Sequence, residues 1–275
     1  MPSFSGALTP DQIDAVADYL RTFCKSKSWP RGELNLPRAL ATEKAFPETE
    51  SVVTTTLNAT RGPGVSNEIV TEQRLSKRNQ LEVSVPVDFV HPQPGHWYGG
   101  VGDLGIGLKN LVASSMRTGS ILSVQNEFVL PSGNASHGLG TGTAIFETFA
   151  LYGQLLPHRT FLQVQGGGEV SFDTAKAPNA VFFRTALGKS FNQNAGAGRL
   201  WSPMMEFIAD RDLATGAKSN YDIMPEFQVT LSKRQHVRFN VGVRIPANHT
   251  ADRPVQVMFY LLWDRQDGGL AEGWR

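Results

Sequence analysis

The stretch YDIMPEFQVTLSKRQHVRFNVGVRI, residues 221–245, alternates apolar and polar side chains twice, with one short polar break between the two runs. Ile223, Phe227, Val229 and Leu231 alternate with Asp222, Glu226, Gln228 and Thr230. Val237, Phe239, Val241, Val243 and Ile245 then alternate with Arg238, Asn240, Gly242 and Arg244. A period of two puts each set on one face of an extended strand, apolar on one side and charged or amide-bearing on the other.

The same period recurs through most of the chain. QLEVSVPVDF (80–89) sets Leu81, Val83, Val85, Val87 and Phe89 against Gln80, Glu82, Ser84, Pro86 and Asp88. TFLQVQGGGEV (160–170) sets Leu162 and Val164 against Gln163, Gln165 and Glu169. About twelve such spans are predicted, at 51–60, 67–76, 79–89, 103–114, 119–130, 143–155, 159–170, 180–191, 199–210, 221–231, 236–246 and 254–263. Many are longer than the usual globular strand. Their connectors alternate, short ones such as SKR, SSMRT and LPH with long ones such as HPQPGHWYGGVG and PSGNASHGLGTG. An even count with alternating connector length predicts an up-and-down antiparallel transmembrane β-barrel, both ends on the side of the short turns. A soluble β-sandwich or lipocalin-like barrel is the competing fold. In the membrane barrel Val83, Val85, Phe227, Val229, Val241 and Val243 face lipid and Asn240 faces inward.

Composition narrows the function classes. A net charge of +1 leaves no electrostatic footprint for nucleic acid. The one cysteine, Cys24, excludes an internal disulfide. No apolar run reaches the length of a membrane helix. The six histidines, His91, His96, His137, His158, His236 and His249, form no metal-ligand motif, and no G-x-S-x-G is present. No enzymatic activity is expected. GVGDLGIG (100–107) lies in a strand, where glycines ease curvature or make room for a neighbour.

The first fifty residues differ. Thr9 is an N-cap, Pro10 sits at the first helical position, and Ile13, Val16, Ala17 and Leu20 form an apolar stripe, predicting a short N-terminal helix over about 10–24. Residues 25–50, with Pro30, Pro37 and Pro47, read as a linker. The expected organisation is thus a head at 1–24, a linker at 25–50 and a barrel at 51–275.

Met1, Pro2, Phe4 and LTPDQIDAVADYL (8–20) resemble the C-terminal end of a class I cytochrome c. That resemblance implies an axial-ligand loop and makes Met1 the would-be metal ligand to a haem iron. The chain departs from the family in lacking C-x-x-C-H, so haem c is expected only in a full-length form, and none is expected to bind this chain as written. The simplest reconciliation is that Met1 is an internal methionine, with a signal peptide and the rest of the cytochrome upstream. The strands resemble a second family, outer-membrane transporter-like barrels of the phenol-degradation-cluster type. GVGDLGIGLKN (100–110), NEFVLPSGN (126–134), ETFALYGQLLP (147–157), ALGKSF (186–191) and MPEFQVTLSKRQHVRFNVGVRIP (224–246) carry it. Together the resemblances imply a bacterial outer-membrane barrel coupled to a periplasmic cytochrome c for electron transfer, with outer-membrane lipid and a periplasmic redox protein as partners. The alternatives are a porin-like channel for small solutes, aromatic ones included, and a soluble structural β-protein. Whether the lumen is open or sealed by ion pairs stays undecided at this point.

Overall fold

The computed structural model describes residues 7–9, 11–13, 15, 16, 19, 34–60, 64–93, 96–194, 197–232 and 236–265. Fourteen strands follow in order: β1 (Glu50–Asn58), β2 (Val65–Arg74), β3 (Asn79–Gln93), β4 (His96–Val101), β5 (Leu104–Ser115), β6 (Ser120–Leu130), β7 (Ile145–Leu156), β8 (Thr160–Ser171), β9 (Ala180–Lys189), β10 (Phe191–Asn194), β11 (Ala197–Asp212), β12 (Asn220–Thr230), β13 (Val237–Pro246) and β14 (Gln256–Asp264). All pairings are antiparallel, β1 pairs with β14, and β9 pairs with β11, which closes the ring. Both β4 and β5 pair with β3, and both β9 and β10 pair with β11. Each of those couples is one wall position broken in two, so the wall is a closed twelve-stranded barrel.

The alternation sets which side meets lipid. On β12, Tyr221, Ile223 and Phe227 are exposed on the outer surface, while Asp222, Met224, Glu226, Gln228 and Thr230 are buried on the inner one. Val83, Phe207, Val241 and Leu261 are likewise exposed outward. A soluble barrel would carry the opposite pattern. A belt of bare Val, Ile, Leu and Phe around closed strands, with acids and amides inside, is stable only in a bilayer, and the chain is an outer-membrane barrel. The short turns at 75–78, 116–119 and 157–159, and the junction of β12 with β13, lie at the end where β1 begins and β14 ends. By the usual rule for such barrels this end is periplasmic, and the longer loops are outside.

The segment expected to be a linker is not one over its described part. Residues 34–49 fold up from the periplasmic end into the lumen and back to β1, and Leu34, Leu36, Arg38, Ala39, Thr42, Lys44, Ala45, Phe46 and Glu48 are all buried there. Residues 25–33 lie outside the described residues, as does Met1. The predicted N-cap is present as a reciprocal capping box: Thr9 N donates to Gln12 Oε1 (2.9 Å), and Gln12 N donates to Thr9 Oγ1 (3.3 Å). Because 34–49 is enclosed, trypsin acting on the detergent-solubilised chain should spare the bonds after Arg38 and Lys44. The protected core then starts at or before Leu34 and not at 51. N-terminal sequencing of that core checks this, and a core starting at Ala45 would refute the enclosure.

Candidate functional site

The lumen is the site, and residues 34–49 form its floor. This segment has no helix or strand of its own, so its backbone groups must find other partners. The wall supplies them. Leu40 N donates to Glu226 Oε2 (3.0 Å), Ala41 N to Glu206 Oε1 (2.9 Å), Thr42 N to Glu206 Oε2 (2.7 Å) and Glu43 N to Gln165 Oε1 (3.1 Å). The Arg38 carbonyl accepts from Gln228 Nε2 (3.0 Å) and Tyr260 Oη (2.6 Å), the Pro37 carbonyl from Gln163 Nε2 (2.8 Å), and the Ala45 carbonyl from Ser123 Oγ (2.5 Å). These wall residues sit on five strands, β6, β8, β11, β12 and β14, and each occupies an inward position of the alternation.

Three apolar contacts fix the segment's height. Leu34 and Phe46 pack with Leu111, Ile121, Phe149 and Leu151. Leu36 packs with Phe161, Ala186 and Met204, and Leu40 against Val52, Tyr260 and Leu262. Gly153 and Gly242 make room for two of these leucines. A Cβ at Gly242 would lie 2.6 Å from Leu40 Cδ1, and one at Gly153 would lie 3.1 Å from Leu36 Cδ1.

Charge locks the periplasmic half. Arg38 Nη1 is 2.9 Å from both Glu50 and Glu72, and Lys44 pairs with Glu48 and, at 3.2 Å, with Glu50. Lys109, on β5, lies 3.8 Å from Glu43 and 3.9 Å from Glu72. Burial works against the Arg38 charge, but Glu72, Glu50, Glu43 and Glu82 together outweigh it and hold the guanidinium's pKa above its ordinary value. Glu48, Glu50 and Glu72 bring carboxylate oxygens within 4.8 Å of one another, close enough for a metal ion. Each member of that trio is already paired with the segment's own Arg38 or Lys44.

Above the tip of the segment lies the outer half of the lumen, on the side of the long loops. Glu127, Glu147 and Glu169 face it from β6, β7 and β8, and Arg184 faces it from β9, donating to the Ala41 carbonyl (3.3 Å). On the far wall Asp222 is paired with Arg244 (2.6 Å) and Arg253 (2.6 Å). The loop at 131–144 folds back against residues 98–103 of the wall. Asp103 holds it through Gly133 N (2.9 Å), Thr141 N (2.7 Å) and Thr141 Oγ1 (2.9 Å), Leu139 is buried beneath it, and His137 stacks on Tyr98 at 4.3 Å. His91 meets Trp97 edge-on at 5.2 Å.

Met1 was the one site residue singled out from the sequence, and it lies outside the described residues. The residues that organise the lumen were visible only as polar members of alternating strands. The segment that binds them was missed, because its partners come from many strands and leave no period in the segment itself. One signal was available: the inward acids Glu50, Glu72, Glu82, Glu206 and Glu226 have few cations among their strand neighbours, so countercharge had to come from elsewhere.

The closed antiparallel wall, apolar outside and polar within, defines an outer-membrane barrel of the porin type. Two solved structures share this architecture. An outer-membrane channel from Pseudomonas putida F1 superposes with a TM-score of 0.57 at 12% identity, covering 85% of this chain and 98% of that one. The KdgM porin superposes with a TM-score of 0.50 at 7% identity, covering 78% of this chain and 98% of that one. No family model and no curated protein matches the sequence. The structural neighbours support the barrel half of the sequence reading and lend none to the cytochrome half.

Proposed function

We propose that this protein is a porin-like channel for small solutes, held closed here by residues 34–49, and that it is not an enzyme. The observation that carries this is how the lumen is filled. A barrel serving only as an anchor can seal itself with side chains from its own wall. Here an irregular segment fills the periplasmic half, and the wall holds it through carboxylates, amides and hydroxyls. Water can replace each of those hydrogen bonds at small net cost, so the segment can be displaced without unfolding the barrel. The electron-transfer reading has for support the resemblance at residues 1–24. The Thr9–Gln12 capping box fits a helix there, but any amphipathic helix can carry one.

The test locks the floor in place. In a Cys24→Ser background, Leu40→Cys and Gly242→Cys put two thiols where Leu40 now touches the glycine. Proteoliposomes carrying the reduced protein should swell in a pentose-sized neutral solute, oxidation should stop the swelling, and reductant should restore it. Absence of swelling in the reduced state would remove the channel reading. Swelling that ignores oxidation would remove residues 34–49 as its gate.

A further inference from the structure

The short-turn end of the barrel carries charge of one sign. LSKR (75–78), MRTG (116–119), PHR (157–159), KSFNQNAGAGR (189–199) and LSKRQH (231–236) contain lysine, arginine and histidine and no aspartate or glutamate. Lys77, Arg78, Arg117, Lys189 and Arg199 are exposed there. The long loops at the opposite end mix the signs, as in FDTAK (172–176), DRD (210–212) and ADR (251–253). Acids do occur in the periplasmic half of the wall, but Glu50, Glu72, Glu82, Glu206 and Asp264 are buried.

Along one arc of this rim the cations meet an aromatic patch on the lipid face. Phe191 on β10 and Trp201 on β11 are register partners, and the Trp201 ring lies 5.7 Å from that of Phe227, which is exposed on the outer wall. Leu187, two residues before Lys189, and Leu231, two residues after the Trp201 partner Val229, are exposed as well. Lys189 Nζ lies 5.2 Å from the Phe191 ring centroid, which holds the ammonium at the edge of the patch. Arg199 stands two residues before Trp201. Ser190 N donates to the Arg159 carbonyl (3.0 Å), tying the neighbouring turn to the same place. From Thr174 to Met205 the sequence contains no aspartate or glutamate. Aromatic rings toward lipid, with basic side chains at the water edge, mark the headgroup level of a membrane protein.

We propose that this arc binds an anionic phospholipid of the periplasmic leaflet. Lys189 and Arg199 take its phosphodiester, and Phe191, Trp201 and Phe227 take the first carbons of its acyl chains. Two features favour a lipid over an acidic protein. The aromatic patch lies on the wall that the bilayer covers, so its ligand has to come from within the bilayer. Exposed cations also recur around the ring, with Lys77 and Arg78 between β2 and β3 and Arg117 between β5 and β6, whereas a docked protein covers one side. The proposal needs the closed wall and does not depend on the channel reading.

Trp201 is the reporter. The full chain is reconstituted in phosphatidylcholine vesicles in which dibrominated phosphatidylglycerol replaces part of the lipid, alike in both leaflets, so the direction of insertion does not matter. Bromine quenches a neighbouring indole, and the quenching lost in Trp201→Phe belongs to this site. Half-quenching should need about fivefold less brominated phosphatidylglycerol than brominated phosphatidylcholine, the factor that one cation near an anionic lipid supplies. Lys189→Gln combined with Arg199→Gln should make the two lipids quench alike. Lys189→Arg should keep the preference, and Arg117→Gln, elsewhere on the rim, should leave it unchanged. Should the double variant fail to assemble, Arg199→Gln alone should reduce the preference. Equal quenching by the two lipids in the parent would overturn the proposal and leave the basic arc to an acidic protein. A preference that survives the double variant would overturn it too. So would loss of the preference on adding glycerophosphoglycerol, which would show a site for a free phosphodiester.

Discussion

Arg38→Met is expected to release the lumen floor. Arg38 neutralises Glu50 and Glu72 at 2.9 Å each, and all three side chains are withdrawn from solvent. Removing one partner of a buried ion pair costs about 3–5 kcal/mol, because the remaining charge is left buried and unmatched. Here two carboxylates lose their shared partner at once, with Lys44 and Lys109 left to offset them. Methionine keeps most of the volume, so packing alone does not explain the effect. The cheapest relief is to let water reach Glu50 and Glu72, which means moving residues 34–49 and leaving the hydrogen-bonded wall intact. Trypsin should then cut after Lys44, and proteoliposomes should swell faster than with the parent, while the unheated barrel keeps a mobility on electrophoresis distinct from that of the heated chain. Continued protection of Lys44 with unchanged swelling would show that the ion pairs do not hold the floor.

The same charges explain what the sequence revealed and what it hid. Strand positions were legible because each strand has to satisfy two solvents, lipid and lumen, and so repeats with a period of two. The span expected at 221–231 is β12 at Asn220–Thr230, and the span expected at 236–246 is β13 at Val237–Pro246. The errors fall where the strands leave the bilayer. HPQPGHWYGGVG read as a loop, yet Trp97 to Val101 continue the sheet against β3, with Val87 paired to Val101 and Val90 to Tyr98. Residues 192–198 fall between the expected spans 180–191 and 199–210, yet Asn194 pairs with Ala197 there. Beyond the membrane both faces of a strand meet water, the alternation fades, and proline and glycine dominate the reading.

The lumen floor was hidden for a different reason. Leu34, Leu36, Leu40 and Phe46 are too few and too widely spaced to make a sustained alternation, because they fit three hollows made by other strands, Leu34 and Phe46 sharing one. Three prolines in the stretch then pointed to a linker. The glycine motifs were half legible. Making room for a neighbour was the expected role, and at Gly105 the space is taken by the Glu127 carboxylate, which accepts from Ser84 Oγ (3.2 Å). Which neighbour would use the space depended on register, and no single strand encodes that.

Val241→Arg is expected to cripple assembly. Val241 sits in the middle of β13, 38% exposed on the outer face, with Phe227 and Phe259 as its register partners. A guanidinium near the bilayer midplane costs ~2–4 kcal/mol, falling toward zero at the interfaces. Asn240, the inward neighbour, is a poor comparison. It is fully buried, and its Nδ2 donates to Glu226 Oε2 (2.7 Å) under the lumen segment, so an arginine there would collide with the floor. Thr54 is the better control. It is inward and half-buried on β1, and its register partner on β2 is Glu68. Arginine at that position meets a carboxylate in place of lipid tails. In urea titrations of protein folded into thin-chain vesicles, Val241→Arg should lower stability by ~2–4 kcal/mol, whereas Thr54→Arg should change it little. Equal loss in the two variants would mean that β1 and β13 do not present opposite faces to lipid and lumen, and the barrel's inside and outside would have to be reassigned.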